Sequence, residues 1–371
     1  MQHQKQIACI LFACIILTHN IITSVEHTSH QLMPTSSSWS DFAAGKKMRP
    51  KELLNNFVGD CIAHASENEK IPHHTPNSDI MRIATYNIHF WRPPYDNIHS
   101  DFDFAKNDNF DAVIQTIKNI NADVLILQEV IIFDWMKIKT TLESLGYVCT
   151  LSMFVQTSTY NSYPFGNMII TKQQSKNAHT IKMYDVEPEV WPELHGFIRT
   201  HINLPNKKKA VVSDIALPNH KKITIYGTHL DVYDHKEDMR AKQVQELIDH
   251  ALKEDELCIV AADFNAIRAR DYQYAVQGKN VWDLLNEDHR DLRGFDAPTK
   301  ALDLFTSHGF VDCFSKAQLE CPKFSVWNGT LVDFIWLNPT WDLPIVGCYI
   351  YYSIASDHLP IIMDIKINNE D

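Results

Sequence analysis

The 371-residue sequence predicts an α/β protein in which two mixed β-sheets stack face to face with helices on the outside. Three observations support this. Strand-like and helical runs alternate from Met81 onward, several short strand-like runs interrupt that alternation in the middle, and five polar motifs stand at or just after the ends of apolar runs. Strict alternation throughout would instead predict one doubly wound sheet.

Residues 1–24 read as a targeting segment, because Lys5 precedes the apolar run Ile7 to Leu17 and polar Thr18 to Asn20 follow. The run is shorter than a bilayer span needs. The expectation is a cleaved signal and a secreted or periplasmic protein, with an uncleaved membrane anchor as the alternative. Residues 25–79 form a polar lead-in with one helix, where Leu53, Leu54, Phe57 and Cys61 share a face. A linker follows at Pro72-His73-His74-Thr75-Pro76-Asn77, its histidines expected to be exposed.

Residues 80–371 hold the main domain. Arg82 to Phe90 reads as a strand, Phe104 to Ile120 as a helix with Val113, Ile117 and Ile120 on one face, and Ala122 to Val130 as a buried strand. Trp135, Ile138, Leu142 and Leu145 recur at helical spacing, and Gly146 supplies the stop. Gly166 to Thr171, Ala210 to Leu217 and Lys221 to His229 are strand-like, the last two forming a hairpin through Pro218-Asn219-His220. Ala241, Val244, Leu247, Ile248 and Ala251 then form a helical stripe ahead of the strand Leu257 to Asp263. A polar stretch with Arg268, Arg270, Arg290 and Arg293 precedes three closing strands, Leu331 to Leu337, Pro344 to Tyr352 and Leu359 to Ile367.

The five motifs are TYNIH (Thr85 to His89), LQEV (Leu127 to Val130), THLD (Thr228 to Asp231), ADFNA (Ala262 to Ala266) and SDH (Ser356 to His358). Carboxylates, amides and histidines gathered with no Ser or Cys nucleophile beside a base suit a hard metal ion and an activated water. Glu129 ends an apolar run that has no packing use for a carboxylate, so it is the first choice for a magnesium ligand. Asp263 and Asn265 lie on one face if the chain stays extended, where they can orient water and hold phosphoryl oxygens; an Asx turn is the competing structural reading. His229 is placed to bind a phosphate oxygen or transfer a proton. Asp333 interrupts an apolar strand and needs a partner, for which His358 is the obvious candidate. Each motif alone has an ordinary explanation as a turn or a solvated strand end.

Together they make the chain resemble the endonuclease/exonuclease/phosphatase superfamily, with its deoxyribonuclease I-like fold, from Met81 to about Ile367. The resemblance implies a four-layer α/β/β/α sandwich of two mixed β-sheets flanked by helices, and a divalent metal, usually magnesium, with manganese as a substitute. It assigns residues 80–371 to a catalytic domain. It also implies roles: Glu129, Asn87 and Asp357 at the metal; Asn167, after Gly166, with Asn265 and His229 at the substrate phosphate; Asp263, His358, His229, Asp333 and Asn265 in catalysis. Arg240 and Gln243 match a helix motif of structural character. Leu331 stands where many members carry an Arg, so that one cationic contact is either missing or supplied by another residue, and His89 replaces an acid found in some nucleases.

The expected activity is metal-dependent phosphoester hydrolysis by an exported phosphodiesterase or nuclease. The alternatives are a membrane-associated lipid or inositol-phosphate phosphatase or sphingomyelinase, and a catalytically inactive secreted binding protein on the same scaffold. The expected partner is a phosphoester substrate, either nucleic acid or a phospholipid or inositol-phosphate head group, acted on by a monomer with no obligate protein partner. A net charge of −12 argues against a broad electropositive footprint for duplex nucleic acid but leaves room for a local basic groove. Of the six cysteines after the first segment, Cys313 and Cys321 flank a loop and are the best candidate disulfide. Trp91, Pro93, Pro94 and Tyr95 form an aromatic loop that could meet substrate, although packing explains them more simply.

Overall fold

The structure, a computed structural model, describes residues 51–75, 79–93, 109–160, 163–173, 175–184, 208–218, 221–231, 237–253, 256–271, 275–276, 279–280, 299–327 and 329–367. The targeting segment, Pro76, Asn77, Pro94, Tyr95, residues 104–108, Arg290 and Arg293 lie outside them.

Two six-stranded sheets form the centre. The first has the strand order β13-β14-β1-β2-β4-β3, built from β1 (Ile80–Asn87), β2 (Val124–Ile131), β3 (Phe154–Tyr160), β4 (Tyr163–Thr171), β13 (Ile345–Ile350) and β14 (Ile361–Lys366). The second has the order β11-β12-β8-β7-β6-β5, built from β5 (Lys176–Lys182), β6 (Lys209–Ala216), β7 (Lys222–His229), β8 (Leu257–Asp263), β11 (Val311–Asp312) and β12 (Asp333–Leu337). Both are mixed in the same way: β1 and β2 are parallel, β7 and β8 are parallel, and the other neighbours are antiparallel. The short strands β9 (Ala275–Val276) and β10 (Lys279–Asn280) pair with each other.

The apolar pattern explains the stacking. Ile83, Val124, Ile126 and Ile169 of the first sheet meet Ile225, Ile259 and Ile335 of the second in a shared core. Gly227 permits the close approach there, since a Cβ would lie 2.7 Å from the Ile126 side chain. The outer face of the first sheet is covered by α2 (Phe110–Ile120), through Val113, Ile117 and Ile120, and by α3 (Trp135–Ser144), through Ile138 and Leu142. The outer face of the second is covered by α4 (Asp238–Ala251), through Val244, Leu247, Ile248 and Ala251, and by α5 (Lys300–Ser307), through Ala301, Leu302 and Phe305. These layers make an α/β/β/α sandwich. The predicted elements recur with ends shifted by a few residues, and Gly146 takes the left-handed conformation (φ 88°) that ends α3.

The helix α1 (Lys51–Ala63) packs Phe57 and Cys61 against Leu359, beside the SDH segment. The linker expectation needs a correction. His73 is exposed, but His74 is buried, its Nε2 2.6 Å from Asp123 Oδ2, because Asp123 sits at the buried entrance to β2 and accepts a hydrogen bond from the backbone N–H of Arg82. The disulfide expectation also fails. All six described cysteines are free thiols: Cys313 opens the short helix α6 (Cys313–Lys316) beside Cys348, and Cys321 Sγ accepts from Arg268 Nη2 at 2.9 Å.

Candidate active site

Topology gathers the motifs at one end of the sandwich. The parallel strands β1, β2, β7 and β8 bring their C-terminal residues to this end, with Asn87, Glu129, His229 and Asp263. Their antiparallel neighbours contribute from the opposite direction. Asp333 opens β12 directly across from Asp263, and His358 precedes β14, whose Ile361 lies across from Thr85. These six predicted residues therefore reach the same rim.

Glu129 arrives by a route different from the expected strand terminus. Strand β2 continues to Ile131, and its register against β4 shifts between Leu127 and Val130, so Glu129 lies in a bulge with φ 55°. A bulge re-aims a side chain that regular alternation would direct elsewhere. The Glu129 Oε2 atom is buried with no hydrogen-bond donor. Burial, then the charges of Asp357 and Asp263, push its pKa up to about 8 against the pull of His358 and the Asn87 amide.

Asn87 spans the two sheets. Its Nδ2 donates to Asp263 Oδ2 at 2.9 Å, its Oδ1 accepts the His89 backbone N–H at 3.0 Å, and its carbonyl accepts from Ser356 Oγ at 2.8 Å. Beside it, Gly166 is required by sterics: a Cβ would lie 1.9 Å from the Val155 carbonyl oxygen of β3. That approach seats Asn167, whose buried Nδ2 makes no hydrogen bond.

The ADFNA segment takes the Asx reading. The strand ends at Asp263, Asn265 is left-handed (φ 47°), and Asp263 Oδ1 accepts the Asn265 backbone N–H at 2.9 Å. The extended geometry expected from alternation is thus replaced by a tight turn. It still delivers Asn265, whose Nδ2 donates to the Leu230 carbonyl at 3.2 Å and to His229 Nε2 at 2.8 Å. His229 then accepts through Nε2 and is neutral, in keeping with a pKa that burial pulls down to about 4.

His358 is the opposite case. Its Nδ1 donates to Asp333 Oδ2 at 2.9 Å, and its Nε2 lies 3.7 Å from Asp263 Oδ2. Burial works against its charge, but Asp333, Asp263 and Asp357 outweigh burial and raise its pKa to about 10. Asp333 is itself raised by burial to about 6, so the two form an ion pair at neutral pH. Ser325 Oγ, which no sequence motif marks, donates to the same Asp333 oxygen at 2.7 Å.

Two donor sets are available to a cation. Asp263, Asp333 and His358 lie within 4.8 Å of one another, but the Asp333 to His358 hydrogen bond already occupies two of them. Glu129, with its orphaned oxygen, is close enough to buried Asp357 to feel its charge and interacts with the Asn87 amide, and oxygen donors of this kind suit a hard divalent ion. This second set fits the group better. His89 stands beside Asp357, Nε2 3.8 Å from its Oδ2, in a run of three left-handed residues, His89, Phe90 and Trp91 (φ 43°, 56° and 63°).

Outside the reacting groups, Arg240 Nη1 donates to the Asp231 carbonyl at 2.9 Å, and Gln243 bonds both Asp231 N–H and the Tyr184 carbonyl, fixing the chain after His229. Trp91 is fully buried and donates to the Ile131 carbonyl, which is the packing role.

A site of this composition at this rim defines a class, and the comparisons agree with it. The Endonuclease/Exonuclease/phosphatase family model matches residues 84–358. The chain belongs to that family, whose members hydrolyse phosphoester bonds and are generally dependent on a divalent metal. Similar folds include an endonuclease/exonuclease/phosphatase from Beutenbergia cavernae DSM 12333 (TM-score 0.52, 14% identity, 78% of this chain and 72% of that one). The human Nocturnin catalytic domain with bound sulfate aligns at TM-score 0.52 and 17% identity over 78% of this chain and 94% of that one. ANGEL2, a 2',3'-cyclic phosphatase, aligns at TM-score 0.51 and 17% identity over 77% and 95%. No curated protein matches the chain by sequence.

Proposed function

We propose that the protein is an exported, magnesium-dependent phosphodiesterase or nuclease that acts by in-line attack of water on a phosphoester. The observation that carries the reading is the convergence on Asp263 of Asn87, His229 and His358, with Asp333 behind His358. Glu129 and Asp357, with Asn87, would hold the magnesium ion, which supplies polarisation of a phosphoryl oxygen and neutralises charge on the leaving oxygen. The all-oxygen donors support magnesium over a softer metal.

Asp263 is the water-orienting base. Its two oxygens are aimed by the Asn87 amide and the Asn265 N–H, so its free lone pairs take a water in a fixed place. The His358 imidazolium, held by Asp333 through Nδ1, presents Nε2–H to a phosphoryl oxygen as charge develops. Asn167 Nδ2 is a second donor with nothing else to bond. Neutral His229, locked to Asn265, positions that amide.

Export is part of the proposal and rests on Lys5 and the run Ile7 to Leu17. Sequencing the N-terminus of the mature protein tests it. The activity is tested by a magnesium-dependent hydrolysis screen of the full chain beside its Glu129→Ala variant, with plasmid DNA, RNA, sphingomyelin, inositol phosphates and bis-(p-nitrophenyl) phosphate. Turnover lost to chelator and in the variant is expected. Silence of the folded parent in both magnesium and manganese would sink the reading.

A further inference from the structure

We propose that Lys208 is a substrate-phosphate-binding residue of this site, its ammonium group contacting a non-bridging phosphate oxygen beside the His229 and Asn265 pair; this rests on the phosphoesterase reading above. Lys208 precedes β6, which runs antiparallel to β7 and so starts where β7 ends at His229. Its carbonyl accepts the Met183 N–H at 2.8 Å, which anchors the base of the side chain. Its Nζ lies 3.4 Å from the Leu230 carbonyl oxygen, the same oxygen that Asn265 Nδ2 approaches at 3.2 Å. The lysine and the amide therefore share one acceptor at the edge of the site. A 3.4 Å contact is a long hydrogen bond, readily exchanged for a charge-assisted one to an anion.

Charge balance gives the ammonium a task. Glu129, Asp263, Asp333 and Asp357 set four carboxyl groups around the rim. A further cation at the edge of these acids would favour the approach of an anionic phosphate. Position 331 cannot provide it, because Leu331 is buried in the core beneath α4 and α5. Among the described buried arginines, three are committed to acids: Arg82 to Asp364, Arg240 to Glu237, and Arg268 to Asp271 and Asp312. Lys208 is close enough for its charge to help hold His229 neutral, and its side chain is half-exposed. The next residue is a built-in control, since Lys209 Nζ donates instead to the Gln156 carbonyl of β3 at 3.0 Å.

The test uses the full chain with magnesium, bis-(p-nitrophenyl) phosphate as substrate and inorganic phosphate as competing anion. Lys208→Gln is expected to raise both KM and the inhibition constant of phosphate about tenfold, as loss of a charge-assisted contact predicts. Lys208→Arg should recover most of that, and Lys209→Gln should match the parent, all at unchanged thermal midpoint. Unchanged KM and phosphate inhibition in Lys208→Gln would overturn the proposal. So would an equal effect from Lys209→Gln, or a Lys208→Arg protein as weak as Lys208→Gln. If the parent turns over no phosphoester, the phosphoesterase reading fails separately. Calorimetric titration of inorganic phosphate into parent and Lys208→Gln then still decides whether Lys208 binds the anion.

Discussion

The two walls of the cleft are built from the same topology but differ in how far their polar groups are satisfied. On the wall of the second sheet, Asp263 receives two hydrogen bonds, His229 receives one, and Asp333 Oδ2 is held by both Ser325 and His358, while Asp333 Oδ1 is buried with no partner. On the wall of the first sheet, Glu129 Oε2 and Asn167 Nδ2 are buried and bond nothing. A buried polar atom without a partner costs free energy. The more fully bonded wall is set in place before substrate arrives, while the other keeps both a free acceptor, Glu129 Oε2, and a free donor, Asn167 Nδ2, for a cation and a phosphate.

The sharpest way to break this comparison is at its most saturated point. Asp263→Ala should lower kcat by roughly 10^3-fold, within the range for loss of a positioned acid or base, with the circular dichroism unchanged. Retained turnover would remove Asp263 from the reaction. On the other wall, Glu129→Gln should weaken magnesium binding by more than about 100-fold, beyond the loss typical of outer partners. The same change should raise the melting temperature of the metal-free protein above pH 8. The sign follows from the raised pKa: the stability linked to Glu129 is complete below 4.5 and is lost as pH rises through about 8, and the glutamine carries no such loss. Differential scanning calorimetry with chelator at pH 6 and pH 9 reads it.

A smaller change sharpens the role of Asp333. The His358 pKa is raised, so its charged form stabilises the fold fully below 6.5 and that contribution is lost as pH rises through about 10. Asp333→Asn should move the alkaline limb of kcat/KM from near 10 toward neutrality and lower the plateau by roughly 10^2-fold. A limb that stays in place would show that Asp333 does not tune the histidine. Least of all on activity, Arg82→Met should leave kcat alone while costing about 3–5 kcal/mol in urea denaturation, because it strands buried Asp364 away from the site.

Much of this was legible in the residues. Alternation and stripe spacing located the strands and the packing faces of α2, α3 and α4, because burial leaves a periodic record. The motif order located Asp263, His229, Asp333 and His358, since a carboxylate within an apolar strand demands a partner. What stayed hidden depends on backbone conformations or contacts that leave no period. The bulge at Glu129 and the left-handed turn at Asn265 are departures from regular strand geometry. Ser325 and Lys208 lie more than a hundred residues apart and belong to no motif. His74 looked like a linker residue because its partner, Asp123, is distant in the chain. Cys313 and Cys321 were close in sequence, yet α6 and Arg268 hold them in different environments.

The hydrogen bond from Asn87 to Asp263 joins the last residue of one sheet's strand to the last residue of the other's. Neither sheet owns a complete catalytic apparatus; each holds half of a broken token. Turnover in the proposed reaction is thus a readout of how the two halves of the sandwich are docked, and a slip of the sheets by about one ångström would slow it by roughly 10^2-fold while leaving every strand intact.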